Sequence, residues 1–369
     1  MNLNRFIDNY GNFSFEEVPF TEVDNVIFAT LAYLNLDNLV SNHSLNTRTL
    51  QEVANDFFAK YNTKEKNIYA VRKAIKIFRS IKDTKRYKDL LFYNYVYESG
   101  VNEQFSAFTI EINKDLVYVS FEGTDQLVSG WKEDFMFSYM FPTISQKKAI
   151  YYINHHFTFR RKKLILGGHS KGGNLALVAG MYANYFVKRK IISIYNNDGP
   201  GLIKELYESK KYLSIKDRLI NILPNYSMVG ILMKNNDNLV IVRSMKKGIL
   251  SHDFMSWVVD DKTFQKADLS SFSSILMSKI SKWLEKYDMS TREKFVISLF
   301  SVFDRVGIKS TGDFFENKKL IFKFILEAKD IENDVKKMIK EFIAIVFQAS
   351  KEVKIEEFKM MFQKKETKN

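Results

Sequence analysis

Cysteine is absent from this 369-residue chain. That excludes disulfides, thiolate metal sites, iron–sulfur clusters and cysteine nucleophiles, and leaves stability to burial. Proline occurs 4 times and glycine 15 times, too rarely for a collagen-like, linker-like or low-complexity chain. Nowhere do about 18 apolar residues run uninterrupted, and residues 1–16 lack the apolar stretch of a secretory signal, so the expectation is a cytoplasmic, soluble protein. No RRM, KH or zinc-finger signature occurs, which argues against a nucleic-acid partner.

What is present is a folding composition, 46% hydrophobic and 27% charged, long enough at 43.3 kDa for one large domain or two ordinary ones. The 32 Phe and 19 Tyr serve either core packing or an apolar pocket. Lys and Arg exceed Asp and Glu by 13 charges, which favours anionic partners such as acidic lipid headgroups, against the plainer reading of a solvated lysine surface. One basic run is compact, Arg160-Arg161-Lys162-Lys163.

Periodicity divides the chain into three zones: a helical region over 1–95, an α/β core over 96–265 and a helical region over 266–369. In the first, Val23, Ile27, Leu31 and Leu34 recur at helical spacing, and a second helix is expected over 47–61. In the second, short apolar runs at 105–112, 116–121, 164–166, 191–195, 219–223 and 239–242 alternate with helical patterns, which predicts a mostly parallel sheet. In the third, Ser290-Thr291-Arg292-Glu293 reads as a capping box. Beyond Lys318, the stripe Ile339, Phe342, Ile343, Val346 and Phe347, with lysines around it, suits packing on the body or contact with an anionic membrane.

The most informative stretch is an apolar strand leading into Gly168-His169-Ser170-Lys171-Gly172 and then an apolar helix. A serine on so tight a strand-to-helix turn needs glycine two residues to either side, and the helix N-terminus behind it offers free N–H groups to an oxyanion. Ser170 is therefore the candidate nucleophile. In this architecture the acid and then the histidine follow the serine, and of five histidines only His252 does. It falls in a loop, where a general base fits; a surface histidine is the competing reading. His169 is read as packing, His155 and His156 as surface residues at a helix end. Asp198, directly after the strand at 191–195, is the chosen acid, with helix capping as its competing role. Asp237, in what reads as a hairpin tip, is the alternative, and Asp217 precedes a strand at the wrong edge. Thr124, after the strand at 116–121, joins the N–H of Lys171 as the expected oxyanion hole.

Val119-Ser120-Phe121-Glu122-Gly123-Thr124 resembles the oxyanion motif of the class 3 (fungal-type) lipases, and the segment from Gly168 to Ala176 resembles their nucleophile segment. Asp198-Gly199-Pro200-Gly201 falls at their G-x-P turn. Closer still is a bacterial, mostly Gram-positive group of lipase-like α/β-hydrolases that carry Gly-His-Ser-Lys-Gly-Gly-Asn. It also resembles this chain in Pro19-Phe20-Thr21-Glu22-Val23-Asp24, in Ser227-Met228-Val229-Gly230 and in His252-Asp253. The resemblance implies an α/β-hydrolase core acting on carboxylic or lipid esters without metal or organic cofactor. Two departures stand out: Glu122 replaces an arginine, and Pro224-Asn225-Tyr226-Ser227, where those lipases place their acid, has no carboxylate. The second favours an alternative, a catalytically inactive hydrolase-fold binding or scaffold protein. The aromatic run Phe135-Met136-Phe137 and Tyr139-Met140-Phe141 is expected to line an acyl pocket, form a lid or pack in the core.

Overall fold

The structure is a computed structural model and describes residues 2–60, 69–100, 103–124, 128–308 and 332–342, with single positions between 323 and 348. Eight strands form one sheet in simple chain order: β1 (Arg48–Thr49), β2 (Leu91–Gly100), β3 (Glu103–Asn113), β4 (Leu116–Phe121), β5 (Lys163–His169), β6 (Ile191–Asn197), β7 (Leu219–Pro224) and β8 (Leu239–Val242). The first four are antiparallel, and β4 through β8 pair in parallel. Parallel neighbours need a crossover on a face of the sheet, and the intervening segments supply it. Asp237 is therefore not at a hairpin tip, because β7 and β8 run the same way.

Strand β2 was not expected from the sequence. A register shift between Tyr93 and Val96, with Asn94 at φ 55°, breaks the two-residue alternation that marks a strand. Elsewhere the alternation holds and sorts the two faces. Val117, Val119, Leu164 and Leu166 point to one core, while Tyr118 and Ile165 point to the other.

The second of those cores lies under four helices, α1 (Leu3–Tyr10), α2 (Glu22–Leu31), α3 (Leu50–Lys60) and α4 (Tyr69–Ile81). A capping box opens α2, with the Thr21 hydroxyl accepting from Val23 and Asp24 and the Asp24 carboxylate accepting from the Thr21 N–H. Although the sequence shows one apolar stripe, α2 is buried on nearly every side. Its polar residues are satisfied inside: Asp24 holds Arg86 at 2.7 Å and Tyr87 at 2.7 Å, and Asn25 bonds Asn197 at 2.8 Å.

On the opposite face lie α6 (Ile144–Phe157) and α7 (Lys171–Tyr182), preceded by α5 (Val128–Met136) and followed by the short helices α8 (Tyr185–Lys188), α9 (Lys204–Tyr207) and α10 (Lys210–Leu213). Two longer helices follow, α11 (Ser271–Glu285) and α12 (Met289–Val306), and the described residues 333–342 are again helical. The cap of α12 is Asp288, which accepts from Thr291 at 2.7 Å. Ser290 lies inside the helix, since an aspartate two residues earlier is the better acceptor at a positive helix end. Helix α5 packs Phe135 and Met136 against Phe300 and the core of α12. Of the C-terminal stripe, Ile339 is buried and Phe342 lies 5.4 Å from Trp283; Ile343, Val346 and Phe347 lie outside the described residues. Helices thus cover both faces of a mostly parallel sheet, an α/β architecture. Among the described residues no helix is long and apolar enough to cross a membrane.

Candidate active site

Ser170 stands between the last residue of β5 and the first of α7, with φ 58° and ψ −129°. A serine in that region carries strain of roughly 1–3 kcal/mol, which the surrounding hydrogen bonds must hold in place. Its N–H donates to Asn197 at 2.9 Å and its carbonyl accepts from Gly173 at 2.9 Å. The flanking glycines answer to crowding: a Cβ on Gly172 would overlap the carbonyl oxygen of Phe121, and one on Gly168 would overlap the backbone of Gly172. The turn is thereby pressed against the end of β4.

One strand over, β6 ends and Asp198 follows in the left-handed region, at φ 48°. Its carboxylate is fully buried. Oδ1 accepts from the Ser227 hydroxyl at 2.5 Å and the Gly230 N–H at 3.1 Å, and Oδ2 lies 2.7 Å from Nδ1 of His252. Ser227 belongs to the stretch after β7 that has no carboxylate of its own. The carboxylate of Asp198 reaches that place from the neighbouring strand, and the serine donates to it.

His252 ends a 3₁₀ turn, Gly248–His252, and its side chain is 20% exposed. Its backbone carbonyl accepts from Nε2 of His169 at 2.9 Å, while Nδ1 of His169 meets the Tyr33 hydroxyl at 2.9 Å. A carbonyl only accepts, so Nε2 of His169 carries the proton and Nδ1 takes Tyr33's. Burial drives the pKa of His169 well below the ordinary histidine value, which keeps the ring neutral and this tautomer fixed. His169 is thus packed, as expected, and also bonded to the histidine loop. The next residue, Asp253, forms ion pairs with Lys246 at 2.8 Å and with Lys73 of α4. Burial lowers the pKa of Lys73 to about 8 against the opposing pull of Asp253.

At the end of β4, Thr124 is buried and its hydroxyl donates to Oδ2 of Asp134, on α5, at 2.9 Å. Burial pushes Asp134 up to about 7, with Lys171 and Thr124 pulling the other way. Lys171, directly after the serine, sends its side chain inward at 1% exposure. Its Nζ donates to the Gln104 carbonyl at 2.6 Å and to Glu133 at 3.1 Å, and Glu133 also accepts from the Ser145 hydroxyl at 2.9 Å. The N–H of Lys171 belongs to the first turn of α7, where amides lack intrahelical acceptors. Glu122, in place of the arginine, accepts from Gln104 at 3.0 Å.

Glu133, Asp134 and Tyr33 escaped the sequence reading because nothing in their local patterns marks them, and Ser227, though part of a family-like stretch, shows no sign there of the bond its hydroxyl makes; each reaches the serine region across the fold. Asp237 sits elsewhere, bonded to Tyr207, Tyr212 and Lys216 before β8. His155 is exposed on α6, and His156, half-buried there, is pushed down to about 4 by burial. The aromatic run packs in several cores: Phe135, Met136 and Tyr139 toward α12, Phe137 with Ile203 and Met233, and Phe141 on Tyr182. Beyond the turn at Asp198, a cavity of about 290 Å³ is lined by Leu202, Ile203, Met233 and Leu284, with Lys204 and Arg292 among its charged residues. Among the described residues no cluster of histidines and carboxylates is arranged to hold a metal ion.

A family model described as Mbeg1-like matches residues 81–301, from the end of α4 past both Ser170 and His252 into α12. The chain belongs to the Mbeg1-like family. Among solved structures, the crystal structure of M37 lipase is similar to this Mbeg1-like chain at 15% sequence identity. That similarity covers 56% of this chain and 68% of M37 lipase, with a TM-score of 0.36. No curated protein matches this Mbeg1-like chain.

Proposed function

We propose that this Mbeg1-like protein is a serine hydrolase of carboxylic esters, with Ser170 as nucleophile, His252 as general base and Asp198 as the orienting acid. The observation that carries the reading is the 2.7 Å contact between Asp198 Oδ2 and His252 Nδ1, at the sheet edge where Ser170 occupies its strained turn. A carboxylate on Nδ1–H leaves Nε2 as the basic lone pair of the ring. In the reaction Ser170 Oγ attacks the ester carbonyl and its proton passes to Nε2. The bond from acyl carbon to leaving oxygen then breaks, and His252 returns the proton to the alcohol. Water repeats the sequence on the acyl-enzyme and frees the carboxylic acid.

The negative oxygen formed in each addition is held by the backbone N–H groups of Lys171 and Thr124. With its hydroxyl donated to Asp134, Thr124 has a fixed side chain and presents its amide. No metal or organic cofactor is required.

A fluorophosphonate probe should label Ser170 in the folded protein and leave Ser170→Ala unlabelled. A folded chain that stays unlabelled beside a reactive control esterase would remove the enzyme reading and leave a binding protein on a hydrolase fold. Rates on acetyl and longer acyl p-nitrophenyl esters then report the acyl group the site prefers.

A further inference from the structure

Strands β5 and β6 both run toward the Ser170 edge, so their first residues, Lys163 and Ile191, lie at the opposite edge, roughly 20 Å away at about 3.3 Å per residue. Three segments meet there: the turn at 158–163 between α6 and β5, helix α8, and helix α10. Lys190 Nζ donates to the carbonyls of Phe157, Thr158 and Arg160, the last at 2.7 Å. Lys188 Nζ donates to Met181 at 2.9 Å and to Ser214 at 3.0 Å, and the Asn184 side chain donates to Thr158 at 2.7 Å. These bonds tie the three tips into one surface.

The tips carry large apolar side chains in the open. Phe159 is 97% exposed, Tyr185 66% and Phe186 64%, and the aliphatic Leu213 and Ile192 are exposed beside them. Among these stand Arg160, Arg161, Lys163, Arg189, Lys210 and Lys211, all exposed. The basic run noted in the sequence is therefore one part of a larger surface, and it faces away from the proposed site.

We propose that this edge is a docking surface for an anionic lipid bilayer. Rings and aliphatic groups on protruding tips suit the boundary between headgroups and acyl chains, and the interleaved cations suit acidic headgroups. A single-stranded nucleic acid is the poorer fit. Leu213 and Ile192 have no π-face for a base, and a side chain as exposed as Phe159 stands out from the surface where a strand needs a groove. Docking on this edge turns Ser170 away from the lipid. The bilayer then holds the enzyme in place, and membrane binding and ester hydrolysis are separable.

The test is flotation of the full chain with phosphatidylcholine vesicles, with and without a minority of phosphatidylserine, at low and high salt. Binding is expected only with phosphatidylserine and should fade as salt rises. The exposed pairs Arg161→Glu/Arg189→Glu and Phe159→Ser/Phe186→Ser should each weaken it by about tenfold or more. Both variants should keep their circular dichroism and hydrolyse a water-soluble ester as the parent does. A control pair on the C-terminal helix, Lys337→Glu/Lys340→Glu, should bind as the parent does. Equal binding to neutral vesicles, unchanged binding of both edge variants, or equal loss in the control pair would overturn the proposal. So would binding of an oligonucleotide without binding of vesicles, which would assign the edge to nucleic acid.

Discussion

His169 and His252 lie ring against ring, with centroids 4.4 Å apart, and the first donates from Nε2 to the backbone carbonyl of the second at 2.9 Å. The residue before the proposed nucleophile therefore sets the position of the proposed base. Beneath them, Phe254 and Trp257 present ring edges to His169 at 5.1 and 6.3 Å, which leaves the pair little room to shift. His169→Phe keeps the ring volume and removes the bond. The expected result is a fall in kcat of about tenfold with KM unchanged, because only the alignment of His252 is lost.

Asp198→Asn preserves the shape of the buried site but lets the amide donate, so that His252 Nδ1 is bound in the wrong tautomer. Esterase activity should fall by roughly 10³- to 10⁴-fold, while fluorophosphonate labelling of Ser170 slows without vanishing. A variant with near-parental kcat would show that another group orients His252.

Lys171 and Glu133 form an ion pair of which 1% and 5% of the side chains are exposed. Removing one partner strands the other's charge in the interior. Lys171→Met should therefore cost about 3–5 kcal/mol in denaturant unfolding, and Lys171→Met/Glu133→Met should recover much of that loss. Additive losses would mean that the two side chains do not act as a pair.

Asp134 gives the protein a pH dependence with a definite sign. Its carboxyl is raised to about 7 in the folded chain, chiefly by burial, so between roughly pH 4 and 7 the folded state holds a proton that the unfolded state has released. The stabilisation is complete in acid and is lost as pH rises through about 7. Asp134→Asn cannot titrate and keeps an acceptor for Thr124. The parent should lose a few kcal/mol relative to the variant between pH 5 and pH 8, on the order of 2–4, as read from unfolding midpoints. Parallel stability curves for the two proteins would refute the assignment.

The sequence by itself determined what depends on neighbours along the chain. Glycines at 168 and 172 around Ser170, between an apolar strand and an apolar helix, specify a strained turn because the steric demand is local. The same holds for the short apolar runs that became β4 and β5. It failed where local rules compete, as in β2, whose bulge hides its alternation, and at the start of α12, where Asp288 outdoes Ser290 as a cap. Only the tertiary structure decided which side chains meet. Asp198 and His252 are 54 positions apart and their contact has no local signature. Ser227 supplies a hydroxyl where a carboxylate was missing, and Lys171 turns inward to a glutamate 38 positions earlier. Such pairs are set by strand order and by the scarcity of water in the interior, which obliges every buried charge to find a partner wherever the fold brings one near.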